Sequence, residues 1–312
     1  MIQEITPVAQ KTAALFLVML CGIIARRRHL IDENSTTAMS RLLLYVTQPL
    51  LIISSFELEY KPSLIATGLT VLAVSVGVHL ASTLLGRLLF FRMADGEQRK
   101  IFRYAFIFAN CSFLGFPLLD IIFKSGEGIF YGSFWCIMFN FYNWTYGYSL
   151  MQSKQNSKIN WFKAFVNAGT VSTLIGIIIF SFRIRLPEVI SDTLETVGDM
   201  TFPLSMIIIG SLLADIDFKR ALKDIRLYIF ALLKLFVLPL AAILICAALR
   251  LSGAVPLMAV IMCSMPSATN TAIFADAFGA DKSLAAELVG VCTLFSVITI
   301  PAILWIYNIL IA

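Results

Sequence analysis

Apolar residues along the chain fall into ten long runs, near 8–25, 36–56, 65–90, 101–123, 129–150, 162–182, 196–214, 225–249, 255–278 and 284–311. Each has about the length of a membrane-spanning helix, which needs roughly 20 residues. Two runs are interrupted by polar groups near their centres. The fourth carries Asn110-Cys111-Ser112-Phe113-Leu114-Gly115-Phe116-Pro117, and the ninth carries Ser264-Met265-Pro266-Ser267-Ala268-Thr269-Asn270-Thr271. Proline lacks an N–H and clashes with the preceding turn, so each helix is expected to bend or break there, near Pro117 and near Pro266. Lipid cannot satisfy the freed backbone groups, so such a break survives only inside protein or beside a wet cavity.

A shift of 154 residues lays the second half of the chain over the first. Gly22 falls on Gly176, Thr47-Gln48-Pro49 on Thr201-Phe202-Pro203, and Asn110 on Ser264. Five runs per half, an odd number, would invert the second half relative to the first, a common plan of secondary transporters. The boundaries this suggests are 1–151 for the first five-helix repeat, 152–160 for a linker and 161–312 for the second repeat. The fold class expected is an all-α polytopic membrane protein of ten transmembrane helices, built as a 5+5 inverted repeat with broken helices 4 and 9.

Composition agrees. Of 312 residues, 59% are hydrophobic and 14% charged, against about 25% charged in soluble domains. The net charge of +5 reads as basic loops rather than nucleic-acid binding. Sixteen Lys and Arg residues follow the odd-numbered runs, among them Arg26–Arg28, Arg99, Lys154, Lys158, Lys163, Arg220 and Lys282. Six lie on the other side: Lys11, Lys61, Lys124, Arg183, Arg185 and Arg250. The positive-inside rule then puts the odd loops in the cytoplasm and both termini outside a plasma membrane. No cleaved targeting peptide is expected, because Arg26–Arg28 follow the first apolar run. The six cysteines form no disulfide or metal pattern, and no cofactor or metal is expected.

Two broken antiparallel helices meeting at mid-membrane would bring four half-helix ends together. Half-helix N-termini carry positive partial charge and free N–H groups, a binding place for an anion. Freed carbonyls at the C-terminal ends could hold a cation instead. The candidate substrate-binding residues are Asn110, Ser112, Gly115, Pro117, Pro266, Ser267, Thr269, Asn270 and Thr271. Four ionisable residues are candidates for charge balance or coupling: Lys234, His79, Asp120 and Asp276. For Lys234 the alternative is an ammonium snorkelling to the interface, and for His79 a neutral packed imidazole. Pro49 and Pro203 are candidate hinges that bend their helices. Asn140 and Asn143 could face the site or bond between helices.

Asn110-x-x-Phe-Leu-Gly-x-Pro117 resembles the span-4 motif of the auxin efflux carrier family. Pro266-x-x-x-Asn270, followed by Ala275-Asp276-Ala277-Phe278-Gly279-Ala280-Asp281, resembles that family's span-9 motif. The resemblance extends over nearly the whole chain, and the short loop after span 5 fits a microbial-type member. It implies ten spans with helices 4 and 9 crossed. Spans 1, 2, 6 and 7 would form a scaffold, and spans 3–5 and 8–10 a moving transport unit. The activity implied is transport of a small organic anion, auxin-like or a dicarboxylate such as malate or malonate. The partners expected are that anion, the lipid bilayer, H⁺ or Na⁺ as a coupling ion, and a second copy in a homodimer. A channel or membrane ligand sensor on the same fold is the alternative. The chain has no phosphate loop and no catalytic constellation, so it is not expected to be an enzyme.

Overall fold

The computed structural model describes residues 5–123, 126–152, 165–216, 218–221 and 223–311. Lys124, Lys154, Lys158, Lys163 and all of the expected linker except Gln152 lie outside them. Among the described residues every named element is helical, and five helices are long and apolar enough to cross a membrane: Glu33–Ser54, Pro62–Leu89, Glu188–Ala214, Ile225–Ala248 and Lys282–Leu310. The protein is thus an all-helical polytopic membrane protein.

In chain order the helices are α1 (Ile5–Arg27), α2 (Glu33–Ser54), α3 (Pro62–Leu89), α4 (Gly96–Ile107), α5 (Cys111–Ile122), α6 (Glu127–Tyr142, continued by Asn143–Gly147 and Tyr148–Met151), α7 (Ala168–Ser181), α8 (Glu188–Ala214), α9 (Ile225–Ala248), α10 (Ala254–Ser264), α11 (Asn270–Ala277) and α12 (Lys282–Ile311). The fourth and ninth apolar runs are therefore each two helices. In the sixth run the helix begins only at Ala168, after a break at 166–167, and the remaining runs are helices interrupted at most by a local irregularity.

Three of the four π-helical turns among the described residues have a cause in proline; the fourth, Asn143–Gly147, precedes none. Wide π-helical turns at Leu43–Thr47, Cys111–Gly115 and Leu233–Val237 each end two residues before a proline, namely Pro49, Pro117 and Pro239. A π turn makes room for a ring that would otherwise strike the preceding turn, and it tolerates the missing N–H. This corrects one expectation. Pro117 does not break the fourth run; the break lies earlier, at Phe108–Asn110, and Pro117 sits in the first turn of regular helix after the π turn. In the ninth run Pro266 lies inside the break itself, between Ser264 and Asn270.

Close backbone approach joins α1 to α8. A Cβ on Gly22 would strike the Ile207 carbonyl, and one on Gly210 would strike that of Met19. The ends of α2 pack on α7 and α8, while α3 packs on α6 and α9 on α10 and α12. At the junction of α2 and α8 the Thr201 hydroxyl donates to the Thr47 hydroxyl at 2.9 Å, in a buried contact. These are the two residues that the 154-residue shift superposes.

Candidate functional site

The two breaks meet each other. Asn110 N–H donates to the Pro266 carbonyl at 2.8 Å, and Ala268 N–H donates to the Phe108 carbonyl at 3.0 Å. Ala109 and Ser267 face each other in this antiparallel bridge. The pair of bonds satisfies backbone groups that helix geometry leaves open, at a depth where an unpaired one would cost several kcal/mol. The pairing sets Ala109 against Ser267, so the register at the breaks is 158 residues. That is four residues, or about one helical turn, from the 154 that put Asn110 on Ser264. Ser264 ends α10, and its hydroxyl donates to the Val260 carbonyl one turn back.

One side of the bridge opens into a cavity of about 250 Å³. Three helix N-termini reach it: α5 through Cys111 and Ser112, α11 through Thr269 and Asn270, and α7 through Asn167, Ala168 and Gly169. Each N-terminus carries about half a positive elementary charge. Asn110 caps α5. Its Oδ1 accepts from Phe113 N–H at 3.3 Å, which turns Nδ2 away as a donor. Asn110 is only 4% exposed, and Nδ2 has no partner. A buried donor left open costs about 1–3 kcal/mol. Gln48, also on the wall and 6% exposed, leaves Oε1 without a partner. Amide O and N are assigned from the bonding pattern, and for Asn110 the Phe113 N–H fixes the choice. The remaining wall is largely apolar and aromatic, with Tyr45, Phe113, Phe139, Trp144 and Phe274, and among the described residues no acidic or basic side chain lines it.

Of the nine candidate binding residues, Asn110, Ser112, Thr269 and Asn270 line this cavity. Ser267 and Thr271 do not; their hydroxyls donate to the carbonyls of Ala105 (2.9 Å) and Ala268 (2.7 Å) and stitch the break. Gly115 lies where α5 passes α10: a Cβ there would meet Met262 Sδ at 3.4 Å. Pro117 and Pro266 shape the backbone, as described above. Asn140 and Asn143 do line the cavity, and Asn143 Oδ1 also accepts from the Tyr104 hydroxyl. Gln48 and Asn167 are additions. Asn167 falls within a run drawn as continuous helix from 162, but it is the N-cap of α7, its side chain accepting from Thr170 N–H at 3.0 Å. The sequence signal was present: Asn followed by Ala-Gly-Thr at the start of an apolar run is a helix-start pattern.

The opposite side of the bridge is different. Lys234, 1% exposed, does not snorkel. Its ammonium donates to the Phe106 carbonyl at 2.6 Å, in the last turn of α4. It lines a void of about 10 Å³ together with His79, Trp135 and the end of α10 at Met262 and Cys263. His79 Nδ1–H donates to the Ser75 carbonyl at 2.7 Å, and the ring sits among Phe108, Trp135, Phe139 and Tyr142. Ala109 and Cys111 line both voids, so the wall between them is one strand of backbone thick. Asp120 and Asp276 are exposed and line neither void, and Asp276 accepts from the Lys282 ammonium at 3.3 Å.

A family model described as membrane transport protein matches residues 7–160 and 155–304, nearly the whole chain. The chain belongs to this family, that of the auxin efflux carriers. A search of curated proteins finds no match. Family membership makes the protein a membrane transporter, since this is a transporter family and not an enzyme family. It also accounts for the span-4 and span-9 motifs by which the sequence resembles the family: they are the segments that pair at the bridge.

Proposed function

We propose that this transporter carries a small organic anion by alternating access and binds it in the cavity between the two helix breaks. The observation that carries the reading is the convergence of three helix N-termini on one void, beside the buried, unpartnered Nδ2 of Asn110. Donors and positive dipole ends without a fixed anion describe a place for a carboxylate. Thr269, Asn270 and Ser112 add polar contacts, and Asn140, Asn143 and Asn167 complete the rim.

The wall also selects among anions. A dicarboxylate brings a second charge, and among the described residues no Lys or Arg lines the cavity to meet it. Five aromatic rings favour an apolar body. The substrate class we infer is therefore a singly charged carboxylate with an apolar or aromatic body. Lys234 supplies a fixed positive charge behind the bridge. It lies where carbonyls freed by the α4 break would otherwise attract Na⁺, so the coupling ion is a proton or absent.

In the proposed architecture ten spans form an inverted repeat with both termini outside. The Thr47–Thr201 contact supports it, because residues on a pseudo-twofold axis meet their own equivalents; the bonds at the bridge are reciprocal too, in a register four residues away. The repeats are 1–151 and 161–312. Spans 1, 2, 6 and 7 act as scaffold, with Pro49 and Pro203 as its hinges, and the rest moves. In this arrangement the cavity lies in the cytoplasmic half of the membrane, between the α2 and α7 walls of the scaffold and the paired breaks.

Asn110→Asp tests the site. Aspartate caps a helix as well as asparagine does, so the fold is retained, but it replaces the open donor with a negative charge. Substrate counterflow of an aromatic monocarboxylate into proteoliposomes should fall at least 100-fold. Wild-type-like counterflow in Asn110→Asp would remove the site. Conductance without counterflow in the wild type would favour a channel instead, and binding with neither a sensor.

A further inference from the structure

A second void, about 380 Å³, lies between α3, α9 and α10, away from the carboxylate cavity. Along α3 it runs from Thr70 to Leu85, which at 1.5 Å per residue is about 22 Å. Its wall is aliphatic and small: Ala73, Gly77 and Ala81 on α3 face Leu238, Ala242 and Ile245 on α9. A Cβ added at Gly77 would meet nothing within 4 Å. The Thr70 hydroxyl is turned to its own helix and donates to the Ala66 carbonyl at 2.8 Å, and Ser82 is the other hydroxyl on the wall. In a membrane transporter an open, almost wholly apolar groove of this length is filled by hydrocarbon, because it offers water too few partners. At one end the lining residues Leu249 and Leu251 flank Arg250, an exposed cation that makes no ion pair among the described residues.

We propose that this groove is a binding site for one acyl chain of a phospholipid whose phosphate lies at Arg250. The groove is longer than the roughly 15 Å of a single leaflet's hydrocarbon, half of the roughly 30 Å core, so it takes a whole chain from the Arg250 end. Its floor gives the lipid a task. Val78, Ser82, Leu238 and Cys263 line both this groove and the small void that holds Lys234 and His79. The acyl chain therefore forms the outer wall that keeps water from the buried ammonium. Burying methylenes here gains little over the surrounding acyl chains, because bilayer lipid is already out of water. Selectivity for this site thus comes from shape and from the Arg250–phosphate contact. The proposal rests on the membrane character of the chain and not on the carboxylate site.

The test uses the full chain in phosphatidylcholine vesicles doped with a phosphatidylcholine that carries a diazirine on one acyl chain. After illumination, adducts mapped by peptide mass spectrometry should concentrate at least fivefold on residues 70–85 and 238–251. The reference is the equally apolar exposed face of α7 at Leu174, Ile175 and Ile178. Gly77→Phe should fill the groove and return labelling to the reference level, as should Ala241→Phe from the opposite wall. Arg250→Gln should lower it at least twofold. Thermal melting of each variant confirms the fold. Even labelling over all apolar faces would overturn the proposal. So would labelling unchanged in both filled variants, or bifunctional cross-links joining residue 77 of two chains, which would make the groove an interface between copies.

Discussion

The two sides of the helix pairing share a wall of one backbone strand, yet they are chemically opposite. On the cavity side three helices begin. Their N–H ends and a neutral polar rim surround a cavity of about 250 Å³, with the unpartnered Nδ2 of Asn110 buried beside it. On the other side helices end, the space is about 10 Å³, and Lys234 lies against the Phe106 carbonyl in the last turn of α4. Helix polarity explains the sorting. An end rich in carbonyls attracts a cation and an end rich in N–H groups attracts an anion. Among the described residues the chain supplies the cation from its own sequence and no acidic side chain on the cavity side. The proposed carboxylate substrate would supply that negative charge.

Lys234→Met attacks the comparison most strongly. It keeps the side-chain length, deletes the charge and leaves the Phe106 carbonyl unpaired, at a cost of about 1–3 kcal/mol. Melting temperature should drop, and monocarboxylate uptake in proteoliposomes should fall more than tenfold. Unchanged uptake would mean that the two sides are not electrically linked. On the cavity side, Asn270→Ala removes one neutral hydrogen bond to substrate, about 1 kcal/mol, and should raise the apparent dissociation constant about fivefold without changing the melting temperature. Asn167→Ala asks whether the third helix end takes part. It should lower stability by about 1 kcal/mol through the lost cap and weaken binding two- to threefold, as read by titration calorimetry.

The smallest expected effect lies outside the membrane and serves as a control. The Arg226 guanidinium, bonded to Asp224 Oδ2 at 2.6 Å, holds the Asp224 carboxyl below its ordinary range. A depressed carboxylate stabilises the fold above that range, and the contribution is lost as pH falls through the folded value. Asp224→Asn should therefore cost about 0.5 kcal/mol at pH 7, a difference that shrinks as pH falls through the folded value, with no change in substrate affinity.

The fold was legible because apolar run length is a strong signal: a helical element stands at every one of the ten runs. The candidate cavity was legible where polar residues interrupt those runs, so Asn110, Ser112, Thr269 and Asn270, which line it, could be named from sequence. What sequence could not give was which polar groups remain open. Ser267 and Thr271 have the same hydroxyls as Ser112 and Thr269, but local geometry commits them to carbonyls. Pro117 looked like a break because proline cannot donate, yet a π turn absorbs it and the break falls where Asn110 can cap. Lys234 had two plausible destinations, and only the position of the α4 end decides between them. Asn167 and Gln48 come to the site through tertiary packing from α7 and α2, which no local pattern encodes.

The central claim is that the cavity is built for one negative charge on an apolar body. The most direct measurement is titration calorimetry of the purified transporter with phenylacetate, its neutral amide phenylacetamide and the dianion phenylmalonate. The three share a ring and differ in charge. The account predicts that phenylacetate binds at least 30-fold more tightly than either of the others, roughly 2 kcal/mol, as expected for hydrogen bonds to a charged group. Equal affinity for the amide, or tighter binding of the dianion, would contradict it.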